Sequence, residues 1–120
     1  MNYIGTIVEE SLSDTSILQE VLILNTKTSI VTEKNKTPWL RKWTLSKTEI
    51  PENSIDQISY KLSQNLNTKY WYADFKNNEF HYIIYRDKIF KVDLSNPIMY
   101  IKAKKFGLAL GIPGYQLDFK

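Results

Sequence analysis

The run YWYADFKNNEFHYIIYRDKIFKV, residues 70–92, constrains the fold more than any other part of the chain. Two candidate tight turns, at Asn77-Asn78 and near Arg86-Asp87, divide it into three short segments of aromatic and β-branched residues. Asn tolerates the left-handed backbone that a two-residue hairpin demands. With Asn77 and Asn78 as the loop, Lys76 faces Glu79, Phe75 faces Phe80, Asp74 faces His81, Ala73 faces Tyr82 and Tyr72 faces Ile83. Cross-strand partners share a sheet face. One face then carries Tyr72, Asp74, His81, Ile83, Phe90 and Val92. The other carries Trp71, Ala73, Phe75, Phe80, Tyr82, Ile84 and Ile89. Both are largely apolar, so each needs a cover: helices on one side, and a second sheet, the chain ends or another subunit on the other.

The first half supplies three more strands and a helix. Residues 3–8 form a β-branched run, 11–16 a turn of small polar residues, and 18–31 a long strand bulged or bent near Asn25. A loop over 32–38 leads to a strand over 39–50 that Pro51 ends. Then the period changes. Ile55, Ile58, Leu62 and Leu66 recur at helical spacing, which predicts an amphipathic helix over about 53–66, with Ser54 and Gln57 as a capping box. A second helix starts at Asn96-Pro97, with Asn as N-cap, and ends at Gly111. Its stripe is Met99, Ala103, Phe106 and Leu110. Ile98, Ile101 and Leu108 lie off that stripe and predict burial on a second side. Tyr115, Leu117 and Phe119 stand at strand spacing in a tail that packs.

The expected fold is therefore α+β, with about six mainly antiparallel strands and two helices in the order βββ-α-βββ-α. The 120 residues suit one domain, residues 1–120, with 42% hydrophobic and 24% charged residues. There is no Cys, which excludes disulfides and thiolate chemistry and fits a reducing cytoplasm, the expected location. No signal peptide or membrane span is read from the sequence, so no membrane partner is expected. No metal or cofactor is expected either, since Walker, GxGxxG and Cys/His patterns are missing.

The net charge of +3 is unevenly spread. Residues 1–33 carry one Lys and five acids, whereas residues 34–47 carry five cations and no acid. A local cluster of this kind can bind an anion without making the whole chain a nucleic-acid binder.

The segments WYADFKN, HYIIYRDKIFKVD and LGIPGYQLDF, with KTPWLRKWTL and EIPE upstream, resemble a family of small uncharacterised bacterial proteins. The resemblance covers nearly the whole chain. It implies a complete bacterial-type protein and carries over no activity and no functional residues.

Two constellations are candidates for chemistry. On a strand, Trp39, Arg41, Trp43 and Leu45 share one face, and Lys42 lies on the other. Arg41 between two indoles, with Lys42 and the neighbouring lysines on phosphates, would suit single-stranded nucleic acid. Against this stands a structural reading, in which Trp39 and Trp43 supply core area that so small a domain needs. The second constellation is Asp74 opposite His81, the one histidine in the chain. A carboxylate orients an imidazole for acid–base work, and Tyr72 and Tyr85 lie on the same face. No nucleophile accompanies the pair, and its bland reading is a cross-strand polar contact. A non-catalytic interaction module is the leading expectation, as a homodimer through the sheet or with a protein partner. A nucleic-acid-associated protein using Trp39, Arg41, Lys42 and Trp43 is the alternative, and an enzyme using Asp74 and His81 the third reading.

Overall fold

The computed structural model describes residues 1–30, 42–117 and 119. Their elements are β1 (Tyr3–Val8), β2 (Leu22–Ile30), β3 (Lys42–Ile50), α1 (Ile55–Asn65), β4 (Tyr72–Lys76), β5 (Phe80–Tyr85), β6 (Lys88–Asp93) and α2 (Met99–Ala109). All six strands join one antiparallel sheet in the order β2-β3-β1-β4-β5-β6. The fold is α+β, in the element order that the changes of hydrophobic period indicate. The loop expected over 32–38 and the start of the third strand, residues 39–41, lie outside the described residues.

β1 is bonded on both edges. It runs antiparallel to β3 on one side and β4 on the other, so β3 and β4 are parallel to each other. A connection between parallel strands has to cross the sheet, and α1 makes that crossing. Its stripe of Ile55, Ile58 and Leu62, continued by Leu66, is fully buried. It packs with Tyr3, Ile7, Ile50, Ala73, Phe75, Tyr82 and Ile84. Helix entry differs from the expected capping box. The Ser54 backbone is already helical and its side chain makes no cap hydrogen bond. The chain enters instead through a 3-10 turn, Glu52–Ser54, in which the Ser54 N–H donates to the Pro51 carbonyl at 2.9 Å.

The close approach of β1 to β4 depends on Gly5. A Cβ there would stand 1.9 Å from the Asp74 carbonyl oxygen and 2.6 Å from the Phe75 ring. The end of β1 is finished differently. Val8 pairs with Leu45, and the next polar groups of β3 are taken by a side chain. Glu10 accepts from the Thr44 N–H at 2.5 Å and from the Thr44 hydroxyl at 2.7 Å. Glu9 accepts from the buried Ser46 hydroxyl at 3.0 Å. Glu10 thus extends the pairing of β3 beyond the last residue of β1, and Glu9 satisfies a buried hydroxyl inside the ladder.

The bend near Asn25 is present as a register shift between Ile23 and Asn25, but β2 starts at Leu22. Leu18 belongs to a 3-10 helix, Thr15–Glu20, capped by Asp14 accepting from the Ser16 N–H. The β4–β5 hairpin also departs from the expected register, by two residues. Tyr72 pairs with Tyr85, Ala73 with Ile84, Asp74 with Ile83, Phe75 with Tyr82 and Lys76 with His81. The cause is Asn77. Its side-chain oxygen accepts from the N–H groups of both Glu79 and Phe80 at 2.8 Å, which moves the loop to Asn78-Glu79. An even shift leaves every side chain on the face first assigned to it. The second turn is Arg86-Asp87 as expected, with Asp87 at a φ of 63°.

α2 starts at Met99 rather than Asn96. Asp93 accepts from both the N–H and the hydroxyl of Ser95, and the Asn96 N–H donates to the Asp93 carbonyl. Residues 93–96 thus form a turn of their own, and the helix after it carries no side-chain cap hydrogen bond. The other end follows expectation. Gly111 has a φ of 94°, Ile112 N–H donates to the Gly107 carbonyl, and Gly111 N–H donates to that of Leu108. This is a Schellman ending with a buried apolar residue, Ile112, after it. Met99, Ala103, Phe106 and Leu110 face Ile83, Tyr85, Phe90 and Val92. Ile98, Ile101 and Leu108 are exposed, so the expected burial of α2 on two sides does not occur. The tail at strand spacing is likewise a 3-10 turn, Gly114–Leu117, with Leu117 buried under α2's cluster.

α1 covers one face of the hairpin, and α2 with the tail covers the other. The surplus of apolar residues that suggested a homodimer through the sheet is used up within the chain. Among the described residues no helix is long and apolar enough to cross a membrane.

Two outcomes follow for stability. Gly5→Ala should cost about 3 kcal/mol or more, because backbone rather than a movable side chain blocks the new methyl; urea unfolding measures this. Burial pushes the Glu10 carboxyl up, but the Thr44 hydrogen bonds outweigh it and hold the group below its ordinary value of 4.5. A depressed folded value means that stability is present above the ordinary range and is lost as pH falls through it. Glu10→Gln should therefore flatten the loss of melting temperature below about pH 4.5 relative to the unsubstituted protein.

Candidate functional site

The sheet face that carries α2 is only partly covered. α2 lies over β5 and β6, whereas Thr6 on β1 and Lys47 on β3, paired with each other, stay exposed. Thr6 also pairs with Asp74 on β4, and Val8 lies further along the same face. Between this open part and the tail is a recess of about 220 Å³. Thr6 and Val8 line it from β1 and Trp43 from β3, with Tyr72 and Asp74 from β4. Tyr70 and Trp71 contribute from the segment leading into β4, and Gln116 from the tail. Asp74 is the one charged side chain among these lining residues.

Asp74 and His81 are in contact although they are not cross-strand partners. Asp74 pairs with Ile83, which makes His81 its diagonal neighbour on the same face, within reach of a long side chain. The His81 Nε2 and Asp74 Oδ2 are 2.7 Å apart, and the His81 Nδ1 and Tyr100 hydroxyl oxygen are also 2.7 Å apart. An ionised carboxylate only accepts, so Nε2 carries a proton and donates to it. In the neutral ring Nδ1 then accepts from the Tyr100 O–H. His81 is 1% exposed, while the Asp74 side chain is 40% exposed. The imidazole is sealed in and the carboxylate reaches the recess.

The tail does the sealing. The Phe119 ring meets His81 edge-on at 6.1 Å and Tyr72 edge-on at 5.6 Å, and stacks on Tyr100 at 6.1 Å. The Tyr72 hydroxyl donates to the Gln116 carbonyl. Burial, and after it the negative charge of Asp74, raises the phenols of Tyr72 and Tyr100 above their ordinary 10.0. Both remain protonated donors throughout the stability range of an ordinary protein.

The aromatic wall has a fixed part and an open part. Trp71 is buried and its indole N–H has no hydrogen bond among the described residues. Trp43 is half-buried, with its ring centroid 5.1 Å from that of Trp71 at a tilt of 60°. Tyr70 is exposed, and the Lys69 ammonium already lies 5.4 Å over its ring.

Of the four residues read as a basic and aromatic platform, Trp39 and Arg41 lie outside the described residues. Trp43 sits at the rim of the recess, and Lys42 is exposed at a neighbouring position, which points to the opposite face. Trp43 is thus neither wholly core nor a free stacking surface. The Asp74–His81 pair is assembled, but Tyr85 is not part of it, because its hydroxyl donates to the Ala103 carbonyl at 2.7 Å. Thr6, Tyr70 and Tyr100 have no site role in the sequence reading, and Trp71 and Phe119 enter it only as packing residues. The face assignment of β1 and β4 carries the signal for Thr6. Tyr100 and Phe119 depend on how α2 and the tail dock, for which the sequence has no local signature. Among the described residues no group of three or more His, Asp or Glu side chains is placed to hold a metal ion.

Comparison with protein-family models, curated protein sequences and solved structures returned no significant match to this chain.

The His81 network makes a direct prediction. Tyr100→Phe strands the Nδ1 of a buried ring and should cost about 1–3 kcal/mol in unfolding free energy. In long-range ¹H–¹⁵N spectra of the unsubstituted protein, Nε2 should carry the proton at neutral pH. A ring protonated on Nδ1 alone would contradict the geometry.

Proposed function

We propose that the chain is a non-catalytic binding module whose binding site is the aromatic recess beside Asp74. The observation that carries this reading is the division of labour in the Asp74–His81–Tyr100 chain. A general base needs a free nitrogen within reach of a substrate proton. Both His81 nitrogens are engaged and the ring is buried, so His81 serves to hold Asp74 in one orientation. A concave, mainly aromatic surface with one fixed polar group has the composition of a small-ligand or side-chain site. This reading keeps the interaction module and departs from an Asp74/His81 enzyme. Nucleic acid enters as a competing ligand class for the same recess rather than through the four residues of 39–43.

The test uses an occlusion variant. Thr6 is exposed at the recess, so Thr6→Trp fills it without disturbing the packed side of β1. Indole N–H resonances are followed while choline, blocked arginine and lysine peptides, a dinucleotide and aspartate are added in turn. At least one solute class should move the Trp43 indole signal saturably, and Thr6→Trp should abolish that response. A panel without any saturable response, or a response that survives Thr6→Trp, overturns the recess as the site.

A further inference from the structure

We infer that the recess takes an organic cation, an ammonium or guanidinium group seated against the aromatic rings with Asp74 as its counter-charge. This rests on the binding reading above and names the ligand class of the same site.

Asp74 is the one charged side chain among the residues that line the recess. Asp74 has His81 as its ion-pair partner, and among the described residues no Lys or Arg is within ion-pair distance of it. The Asp74 side chain is part-buried beside the rings of the recess and 40% exposed. Partly desolvated carboxylates are stabilised by a cation placed on their open side. His81 approaches Oδ2, and among the described residues Oδ1 has no hydrogen-bond partner. The free oxygen is an acceptor, which suits N–H donors and excludes an anion.

The rings point to the same class. Aromatic faces attract cations, most strongly those of Trp and Tyr, and the attraction grows when water is excluded. Trp43, Trp71, Tyr70 and Tyr72 all contribute to this one recess. One cation–ring contact already exists at its edge, between Lys69 and Tyr70. Lys47 and Lys76 face the same side of the sheet from β3 and β4, but neither is paired with Asp74. Their charges oppose the approach of a cation, over a screening length of about 8 Å at physiological salt. They weaken long-range attraction of a cation and leave the contact terms intact.

The carboxylate is also preorganised. Its orientation is fixed by a ring that is itself fixed by Tyr100 and covered by Phe119. Binding a cation therefore requires no ordering of the acid, which is where exposed ion pairs lose most of their benefit.

The experiment compares choline with 3,3-dimethyl-1-butanol, its uncharged carbon analogue, by titration monitored at the indole N–H signals. The same titration is run with the peptide acetyl-Gly-Arg-Gly-amide and with a dinucleotide, on the unsubstituted protein, Asp74→Asn and Thr6→Trp. The expected result is that choline, the arginine peptide or both bind, and that the uncharged analogue binds at least about tenfold more weakly than choline where choline binds. Asp74→Asn should remove most of that affinity, and Thr6→Trp all of it. Binding of choline assigns a free organic cation; binding of the peptide alone assigns a side chain presented by a polypeptide. Should Asp74→Asn fail to fold, the choline pair and a matched acetyl-Gly-Gly-Gly-amide control on the unsubstituted protein still decide. Equal affinity of cation and uncharged control overturns the inference, as does cation binding that is unchanged in a folded Asp74→Asn. A dinucleotide response abolished by Thr6→Trp, without a cation response, overturns the cation but keeps the recess as a site. Silence from every probe removes both.

Discussion

The six residues of β1 carry two ladders, and the arrangement of the rest follows from that. A strand placed first in the chain and in the interior of the sheet leaves β3 and β4 parallel on its flanks. Their connection must then pass over the sheet, and α1 is the element whose apolar stripe can do so while burying itself. The approach of β1 to β4 is close enough that only glycine fits at Gly5. Where β1 runs out, Glu10 supplies the acceptor that the next residue of the strand would have supplied. The left half of the sheet is therefore tied to β1 both by backbone pairing and by a carboxylate.

The asymmetry of cover creates the recess. α1 spans the face made by Tyr3, Ile7, Phe75, Tyr82 and Ile84. α2 is equally long but lies over the far end of the opposite face, because the β5–β6 hairpin delivers the chain there and the Schellman ending turns it back at Gly111. The tail then reaches toward β4 and sets Phe119 against Tyr72, His81 and Tyr100. Beyond it, no helix among the described residues lies over this face of β1 and β3. A carboxylate on β4 at that boundary is buried on one side and open on the other. A fully covered sheet would have forced Asp74 to neutralise or pair, and a fully open one would have left it an ordinary surface acid.

The sequence made this contact legible through an argument whose details changed. Tolerance of unusual backbone at Asn77 puts the loop one step early, because it leaves out the hydrogen bonds that the Asn77 side chain makes. The side-chain period of a strand is two, so a two-residue slip kept Asp74 and His81 on one face and exchanged a direct neighbour for a diagonal one. A one-residue slip would have separated them. Helix α1 was readable because one stripe of four aliphatics decides it. α2 was readable in its buried stripe, yet Ile98, Ile101 and Leu108 misled, since periodicity counts apolar residues without knowing whether a third layer exists. Tyr100 and Phe119 had no local signal. Their roles arise from docking angles that the helix and tail take up only against the finished sheet.

Charge gives the last step. The chain is mildly cationic, and α2 carries Lys102, Lys104 and Lys105 around its exposed aliphatic residues without an acid in the helix. Two copies meeting through that face would set lysine against lysine, so its exposed carbon does not argue for self-association. The same excess means that an incoming cation gains nothing from the field of the whole molecule. Any affinity of the recess for a cation must come from contacts inside the screening length: the rings, the free carboxylate oxygen and the exclusion of water by the tail. Such a site should show slow, unsteered association and an affinity set by dissociation, with a weak dependence on salt. An electrostatically gathered ligand on the lysine side would behave in the opposite way, with affinity falling steeply as salt rises. The salt dependence of whatever binds therefore separates a contact made at Asp74 from one made by the basic surface.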